Sequence, residues 1–462
     1  MKSAFVVKKP RTAAIRALNY NPYVEAFRQK RSKLDSVPLG ELVDELGPAY
    51  GSVFTRIDCT PEHGVELLSQ TDMFAAEPRG RVIRMDSMPH PERHRIRRWQ
   101  VLIAGAGTLG ETELFGRALI ADSRLIDKYV GPHAMTLHFK DPGGTLNLYT
   151  YAFLCTSIGF QAIRSTSYGT KVLGLRKDML RDLPVPVADH STSCMIADLV
   201  KVAVMQRQQY LNELQAARKL IEELPEMRVA EALCQNRIKR CLKWSGDLST
   251  MLAWTYASTG GALEYLQKQW PGRLGDILEP RGVFNGPRFA RISCEAPHGV
   301  DFLSQRHVFM MRPIARRIVH PAVSKRLLFV PEGSLLVGGH GTLNEGEIFG
   351  RVLYIFGRLS HMAFTQDLLR VQPKADFSAT AYGFLSTTVG FRLLRSTAVG
   401  TKLLTMRPDL LRHIPFPDCD RNLMTAINNH LIASIVAREE QHRNEQEAIR
   451  ILEEEVLPEW LN

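Results

Sequence analysis

Features that direct a chain into a membrane or out of the cell are missing from this sequence. Across its 462 residues no apolar run approaches the ~18 uninterrupted residues that a membrane-spanning helix needs, and its start lacks the apolar core of a secretory signal. The 7 cysteines form no Cys-x-x-Cys pair, which argues against a zinc site and against a disulfide framework. We therefore expect reduced thiols, no membrane contact and a cytoplasmic location.

Recognisable catalytic motifs are missing as well. There is no His-Glu-x-x-His, no Gly-x-Ser-x-Gly, no Walker loop and no histidine–cysteine cluster with metal-ligand spacing. The stretch VLIAGAGTLG at 101–110 imitates a dinucleotide-binding strand and turn, but Asp122 follows Gly110 too soon for a crossover helix and a second strand. We interpret these glycines as a turn, and we expect no cofactor to bind this chain directly.

An internal duplication is the strongest feature that the sequence contains. HGVELLSQ at 63–70 returns as HGVDFLSQ at 298–305; GAGTLGETELFGR at 105–117 returns as GHGTLNEGEIFGR at 339–351, identical at 9 of 13 positions; and 151–171 returns as 382–402, identical at 12 of 21 positions. Short apolar runs such as Val101–Ala104 and Leu327–Val330 are typical of strands. Each copy is therefore predicted to be one mixed α/β unit.

A long amphipathic segment follows each copy, at about 191–224 and 420–456. Apolar residues step along both segments by three and four positions, as in a coiled-coil seam. We predict two long antiparallel helices whose seam residues also bind partner subunits. These residues are Tyr210, Leu214, Ile221, Leu431, Ile435 and Ile449.

The predicted fold class is α/β (α+β), with two homologous domains joined by a coiled coil in a pseudo-two-fold repeat. The predicted plan is an N-terminal segment at 1–38, a first domain at 39–187, a central helical spacer at 188–273, a second domain at 274–418 and a C-terminal long helix at 419–462.

Basic residues are concentrated at equivalent places in the two copies. The chain has 59 Lys and Arg against 48 Asp and Glu, a net charge of +11. Arginine binds phosphates and reads guanine edges in the major groove, so we predict contact with double-stranded DNA. The predicted DNA-binding residues are Arg79, Arg81, Arg84, Arg93, Arg95, Arg97, Arg98 and Lys171 in the first copy, and Arg312, Arg316, Arg317, Lys325, Arg326 and Lys402 in the second.

These features together resemble the specificity (S) subunit of type I restriction-modification systems. The family's small-Gly-Thr-Leu-Gly segment is matched by Gly107–Gly110 and Gly341–Leu343. Its Tyr-x-Phe-Leu to Gly-Thr-Lys segment and its Leu-x-x-Ile-x-Pro-x-Pro exit are matched at 151–186 and 382–417. Asn344 replaces a glycine, and His133-Ala134-Met135 departs from the family's pattern before the last strand, which indicates a divergent branch in a methyltransferase-based phage-defence system.

The resemblance implies a non-catalytic subunit in a bacterial or archaeal cell, associated with the nucleoid. Each target-recognition domain would read one half of a bipartite, asymmetric DNA site, and the helices would set the gap between the halves. The implied partners are two methyltransferase (M) subunits, which carry S-adenosylmethionine and methylate adenine N6, with a restriction or translocase subunit as a further partner.

Two other functions stay open at this point. A duplicated nuclease would need acidic residues at equivalent positions, and the acidic pairs of this kind are Glu111 with Glu345 and Glu113 with Glu347. A protein-interaction scaffold of a defence complex would show no salt-dependent binding to duplex DNA.

Overall fold

The computed structural model divides by internal contacts into two compact units. The first unit is 1–208 together with 438–462, and the second is 209–437. The structure describes residues 16–22, 24–26, 35–49, 54–110, 112–235, 251–259, 261–343 and 346–458.

The first unit contains the following elements. Its strands are β1 (Ser36–Pro38), β2 (Val43–Leu46), β3 (Val65–Leu68), β4 (Arg81–Ile83), β5 (Val101–Ala104), β6 (Ala106–Gly107), β7 (Ala118–Ile120), β8 (Tyr129–Val130), β9 (Ala134–Phe139), β10 (Ser167–Tyr168), β11 (Leu173–Leu175) and β12 (Pro184–Pro186). Its short helices are α1 (Leu39–Leu42), α2 (Gln70–Phe74), α3 (Thr145–Cys155), α4 (Ser157–Arg164) and α5 (Lys177–Arg181).

Three sheets build the globular part of the first unit. They have the strand orders β2-β9-β5-β7, β4-β3-β8 and β10-β11-β6, and β1 pairs separately with β12. The apolar run Val101–Ala104 is a strand as predicted, buried along its whole length. It pairs antiparallel with β7, the next strand after the glycine turn, so the turn lies in the connection between two paired strands and not in a dinucleotide-binding crossover.

The second unit contains a closely similar set. Its strands are β13 (Leu278–Asn285), β14 (Val300–Leu303), β15 (Arg316–Ile318), β16 (Leu335–Gly338), β17 (His340–Gly341), β18 (Val352–Tyr354), β19 (Ala363–Phe364), β20 (Leu368–Pro373), β21 (Ala398–Val399) and β22 (Leu404–Met406). The helices after the first unit's α5 are α6 (His190–Glu222), α7 (Pro225–Gln235), α8 (Ala253–Ala257), α9 (Ala262–Gln269), α10 (Gln305–Val308), α11 (Lys325–Leu328), α12 (Ser378–Leu385), α13 (Thr388–Ser396), α14 (Pro408–Leu411) and α15 (Arg421–Ile451), followed by a π-helical turn at Leu452–Val456.

The sheets of the second unit have the orders β13-β20-β16-β18, β15-β14-β19 and β17-β22-β21. These orders correspond strand for strand to those of the first unit. The register corresponds as well, since Val65 pairs with Ile83 in the first unit and Val300 with Ile318 in the second.

One predicted strand, Leu327–Val330, is wrong. The structure places Leu327 and Leu328 in the short helix α11, and the strand that corresponds to β5 is β16, which begins at Leu335. A short apolar run is compatible with either a buried strand or a helical turn, so periodicity could not separate the two.

The long helices α6 and α15 each contribute to both units, because the boundaries at 208 and 437 lie inside them. In the first unit, Ile196, Val200 and Val204 of α6 join Ala448 and Ile451 of α15 in the main apolar core. In the second unit, His430 Nδ1 of α15 lies 2.7 Å from Glu213 Oε2 of α6. The predicted ends at 191–224 and 420–456 agree with the observed helices within a few residues.

A buried ionic network connects the two long helices to the first unit's globular part. Arg207 of α6 contacts Glu445 of α15, and its Nη1 lies 3.6 Å from Asp122 Oδ2. Arg124 donates two hydrogen bonds of 2.7 Å to the same Asp122 carboxylate, and Tyr151 donates one to Glu445. Burial opposes ionisation of Asp122, but the adjacent Arg124 and Arg207 hold its pKa below the ordinary value.

None of the helices that the structure describes is long and apolar enough to cross a membrane.

Candidate nucleic-acid interface

The predicted arginines of the first unit lie on the sheet β4-β3-β8 and in the loops around it. Arg81 lies in the edge strand β4, and Arg95 forms a bridge with Tyr129 of β8 at the opposite edge. The structure therefore spreads the cluster across the sheet and does not gather it at one point. All seven side chains are exposed: Arg79, Arg81, Arg84, Arg93, Arg95, Arg97 and Arg98.

Carboxylates hold several of these arginines. Arg81 Nη2 lies 2.6 Å from Asp58 Oδ2, and Arg95 Nη2 lies 2.7 Å from Asp127 Oδ1. Arg84 donates to Asp86 from Nε at 3.0 Å. The hydrogen bonds from Arg81 and Arg84 hold the pKa of Asp58 and Asp86 below the ordinary value, so both carboxylates are ionised at neutral pH. These pairs fix side-chain orientation but remove much of the net charge.

The remaining arginines of this group keep their charge. Among the described residues, Arg93, Arg97 and Arg98 have no carboxylate within ion-pair distance. The Arg98 guanidinium lies over the Trp99 ring, with its Cζ 5.1 Å from the ring centroid. These three are the first unit's strongest candidates for phosphate contact.

The second unit arranges its basic residues on the equivalent edge. Arg316 of β15 donates from Nε to Ser293 Oγ at 2.8 Å, and Arg317 Nη1 lies 3.0 Å from Asp301 Oδ1. Lys325 and Arg326 are exposed on α11, and Arg312 is half-buried. Ser293 stands where Asp58 stands in the first unit, since each bridges the last residue of its edge strand. The Arg316 side chain is therefore oriented without being neutralised.

A glutamine clamps the strand that leads into the glycine turn in each unit. Gln70 Nε2 donates to the Ala106 carbonyl at 3.0 Å, and the Ala106 amide donates back to Gln70 Oε1 at 3.1 Å. Gln305 and His340 make the same pair of bonds, at 2.7 and 3.3 Å. Sequence reasoning did not assign a role to these glutamines, although each is the last residue of the repeated HGV block.

A buried arginine supports the glycine turn from the other side. Thr156 caps α4 by accepting a hydrogen bond from the Gly159 amide, and this helix ends at Arg164. The Arg164 guanidinium donates to the carbonyls of Phe115 and Gly110 at 2.9 and 3.0 Å. In the second unit Arg395 donates to the carbonyls of Phe349 and Leu343 at 3.0 and 2.8 Å. The repeated Arg-Ser-Thr sequence is thus a support for the turn.

The two predicted lysines lie at hairpin tips beside the glycine turns. Gly107 pairs with Leu173 across β6 and β11, so Thr108 follows next to Val172 and the exposed Lys171. Gly341 pairs with Leu404 in the same way, beside the exposed Lys402. Leu109, Val172 and Leu403 are exposed at these tips. Each unit therefore presents a rigidly supported apolar tip with one cation.

The prediction that the seam residues of the long helices bind partner subunits requires a correction. Tyr210, Leu214, Ile221 and Leu431 are buried within the second unit, Ile449 is buried within the first, and Ile435 is half-buried. A Cβ at Gly383 of α12 would lie 3.6 Å from Ile221 Cγ1 and 3.3 Å from Ile427 Cγ2, so α12 packs directly against this seam. The five buried side chains are occupied by the chain itself and are not open to a partner. The apolar residues exposed on the same helices are Met195, Val202, Met205, Ile432 and Val436.

The acidic pairs considered for a nuclease do not form a metal site in the part of the chain that the structure describes, where no group of three or more His, Cys, Asp or Glu could hold a metal ion. Glu111 and Glu345 lie outside the described residues. Glu113 is half-buried beside the turn, and Glu347 is exposed.

Comparison with known proteins gives similarity to solved structures alone: no protein-family model and no curated protein matches this chain. The chain is similar to the type I restriction-modification S subunit from M. genitalium at 13% identity and a TM-score of 0.33, covering 93% of this chain and 96% of that one. It is similar to the HsdS subunit from Thermoanaerobacter tengcongensis at 12% identity and a TM-score of 0.26, covering 92% and 96%. A structure of a type I restriction-modification system in complex assembly is also similar, at 12% identity and a TM-score of 0.24, covering 93% and 97%. The similar structures named here thus belong to type I restriction-modification systems.

Proposed function

We propose that this chain is the non-catalytic DNA-specificity subunit of a type I restriction-modification or related defence complex. Each unit reads one half of a bipartite, asymmetric site in double-stranded DNA. The observation that carries this proposal is the repetition of three sheets in the same strand order, with exposed arginines on the equivalent edge strands β4 and β15. Two copies of one fold with different side chains are suited to two different half-sites.

The long helices have two roles in this proposal. They set the spacing between the half-sites, for which an antiparallel pair is a stiff element. Two side-chain pairs support the antiparallel direction, Arg207 with Glu445 and Glu213 with His430. The residue number on α6 rises from 207 to 213, whereas that of the partner on α15 falls from 445 to 430. The division at 208 and 437 supports it too, because each unit receives one half of each helix.

The same helices dock the methyltransferase subunits. The exposed apolar side chains Met195, Val202 and Met205 on α6, and Ile432 and Val436 on α15, support this role. Exposed apolar residues that recur along one helix are typical of a protein-binding surface. The partner, and not this chain, supplies S-adenosylmethionine and methylates adenine N6.

Mapping of methylated adenines in host DNA tests the proposal. The chain is expressed with its genomic neighbours, and host DNA is sequenced for modified bases with the gene present and deleted. We expect a bipartite, asymmetric motif that disappears on deletion. Methylation that persists unchanged without this gene, or a motif with no gap, contradicts the proposal.

A further inference from the structure

A polar cluster lies just before strand β9 in the first unit and just before strand β20 in the second. The Gly105 amide donates to the His133 carbonyl at 2.9 Å, and the Gly339 amide donates to the Asp367 carbonyl at 2.9 Å. The Gly131 and Thr365 amides likewise donate to Leu68 and Leu303. His133 and Asp367 are therefore equivalent in the fold, as are Gly131 and Thr365, although their side chains differ in chemistry.

An exposed arginine stands beside this position in both units. The Arg84 amide donates to the Ile57 carbonyl at 2.9 Å, and the Val319 amide donates to the Ile292 carbonyl at 2.8 Å, which makes the preceding residues Arg56 and Arg291 equivalent. Arg56 lies two residues before Asp58, and Arg291 lies two residues before Ser293. Asp58 and Ser293 are the side chains that orient the edge-strand arginines of β4 and β15. The clusters thus adjoin the arginine-bearing edges.

In the second unit the cluster is fixed by a chain of hydrogen bonds. Arg291 Nη2 donates to Thr365 Oγ1 at 3.1 Å, and Thr365 Oγ1 donates to Asp367 Oδ2 at 2.8 Å. The Arg291 guanidinium also lies over the Phe302 ring, 5.0 Å from its centroid. His340 Nδ1 lies 3.9 Å from Asp367 Oδ1. The result is a fixed donor group beside a partly exposed carboxylate.

In the first unit the same position holds two nitrogen-bearing side chains. Gly131 has no side chain that could hold Arg56, and His133 replaces the carboxylate. Burial, and after it the nearby Arg56, lower the pKa of His133, so its imidazole is neutral at physiological pH. The two units therefore present different hydrogen-bonding patterns on the same backbone frame.

A carboxylate beside an arginine weakens the binding of a phosphate there, because the carboxylate repels the phosphate. Base edges in the major groove differ in this respect, since cytosine N4 is a donor that a carboxylate accepts from, and guanine O6 and N7 accept from arginine. We infer that these clusters discriminate bases in the two half-sites, an inference that rests on the proposed function. Arg291 and Asp367 fit a G·C pair, whereas Arg56 and His133 fit purine acceptors.

Selection of bound duplexes from a random DNA library by the full-length chain tests this inference. For Asp367→Ala and Arg291→Ala we expect relaxed preference at one position of one half-site, by about tenfold or more, with the other half-site unchanged. Asp367→Asn keeps the shape but adds an amide donor, and we expect its preference at that position to move toward adenine. Arg326→Ala, an exposed cation of the same unit, is the matched control and should weaken binding evenly across sequences.

The outcomes separate the two claims. A wild-type chain that enriches no bipartite motif overturns the proposed function and this inference with it. A wild-type chain that enriches such a motif, while the Asp367 and Arg291 variants keep it unchanged or lose affinity evenly like Arg326→Ala, overturns this inference alone.

Discussion

Arg207 and Glu445 are two almost fully buried charges that depend on each other. In the low-dielectric interior, removal of Glu445 leaves Arg207 with the more distant Asp122, which already pairs with Arg124, so the Arg207 charge is poorly compensated. We expect Glu445→Ala to lower the free energy of unfolding of the first unit by about 3–5 kcal/mol. Urea unfolding followed by hydrogen exchange of the core strands around β5 measures this change.

Arg450, on the same helix, provides a matched control. It pairs with Glu447, Glu454 and Glu455 at the surface, where solvent screens the interaction. Arg450→Ala should therefore leave the unfolding of the first unit nearly unchanged. An Arg450 effect as large as that of Glu445 would show that the buried network has no special role.

Cys419 is a residue whose reactivity the structure determines. Burial, with a smaller effect of Asp418 and Asp420, raises the pKa of its thiol to about 12. Since the thiolate is the reactive form, almost none of it is present at pH 8. We expect Cys419 to be among the slowest cysteines to alkylate with iodoacetamide, measured by peptide mass spectrometry. Rapid labelling of Cys419 in the folded chain would contradict this.

Individual arginines illustrate what sequence reasoning can and cannot reach at this scale. The arginines of the Arg79–Arg98 cluster are exposed, and their contact with DNA stays a prediction. The pairing of Arg81 with Asp58 was not predicted, because it depends on a bridge between segments that are 23 positions apart. Arg56, Arg291 and Asp367 were assigned no role from the sequence, and His133 was noted there only within a departure from the family's pattern, since the contacts of these residues form only in the folded units.

At the scale of elements, the glycine turn is held by close contacts. Gly116 has φ +83°, and a Cβ there would lie 2.8 Å from Arg164 Cγ. We expect Gly116→Ala to destabilise the first unit by about 1–3 kcal/mol through backbone strain and to displace Arg164 as well. Hydrogen exchange of the 105–118 amides in increasing urea measures both effects.

Gly261 separates the effect of backbone strain from that of a steric clash. It also has a positive φ, +104°, but a Cβ there would meet no atom within 4 Å. Gly261→Ala therefore reports backbone strain without a steric clash. If the two variants lose equal stability, the clash between the added Cβ at position 116 and Arg164 contributes nothing to the loss.

Secondary structure was predictable where repetition and periodicity agreed. The strand at Val101–Ala104 and the ends of α6 and α15 were predicted because each pattern is long or bounded by clear turn residues. The strand proposed at Leu327–Val330 failed, because a four-residue apolar run carries no period. The seam residues were placed on the right helices, but their burial within the units depends on packing that a single helix pattern does not contain.

At the scale of the whole molecule, unpaired cations should dominate the salt dependence of DNA binding. Each phosphate contact adds about 0.9 to the slope of log affinity against log salt. We expect Arg97→Ala to reduce this slope by about one, since no carboxylate partner of Arg97 is found among the described residues. Fluorescence anisotropy with a labelled duplex at several salt concentrations gives the slope.

The double variant Arg84→Ala/Asp86→Ala is the comparison for this measurement. It removes one positive and one negative charge that already neutralise each other, so the slope should stay close to that of the wild type. A slope that falls equally in both variants would mean that pairing with carboxylates does not decide which arginines contact phosphate.

The division of the chain into 209–437 and two flanking pieces has a consequence for biosynthesis. On the ribosome, the residues of the second unit have all been made before Ala448, Ile451, Leu452 and Val456 are added. Those four residues, together with Leu457, complete the apolar core of the first unit. The first-made domain is therefore the last to be finished, and until then its nascent core stays open to chaperones and proteases while the internal domain can already be folded.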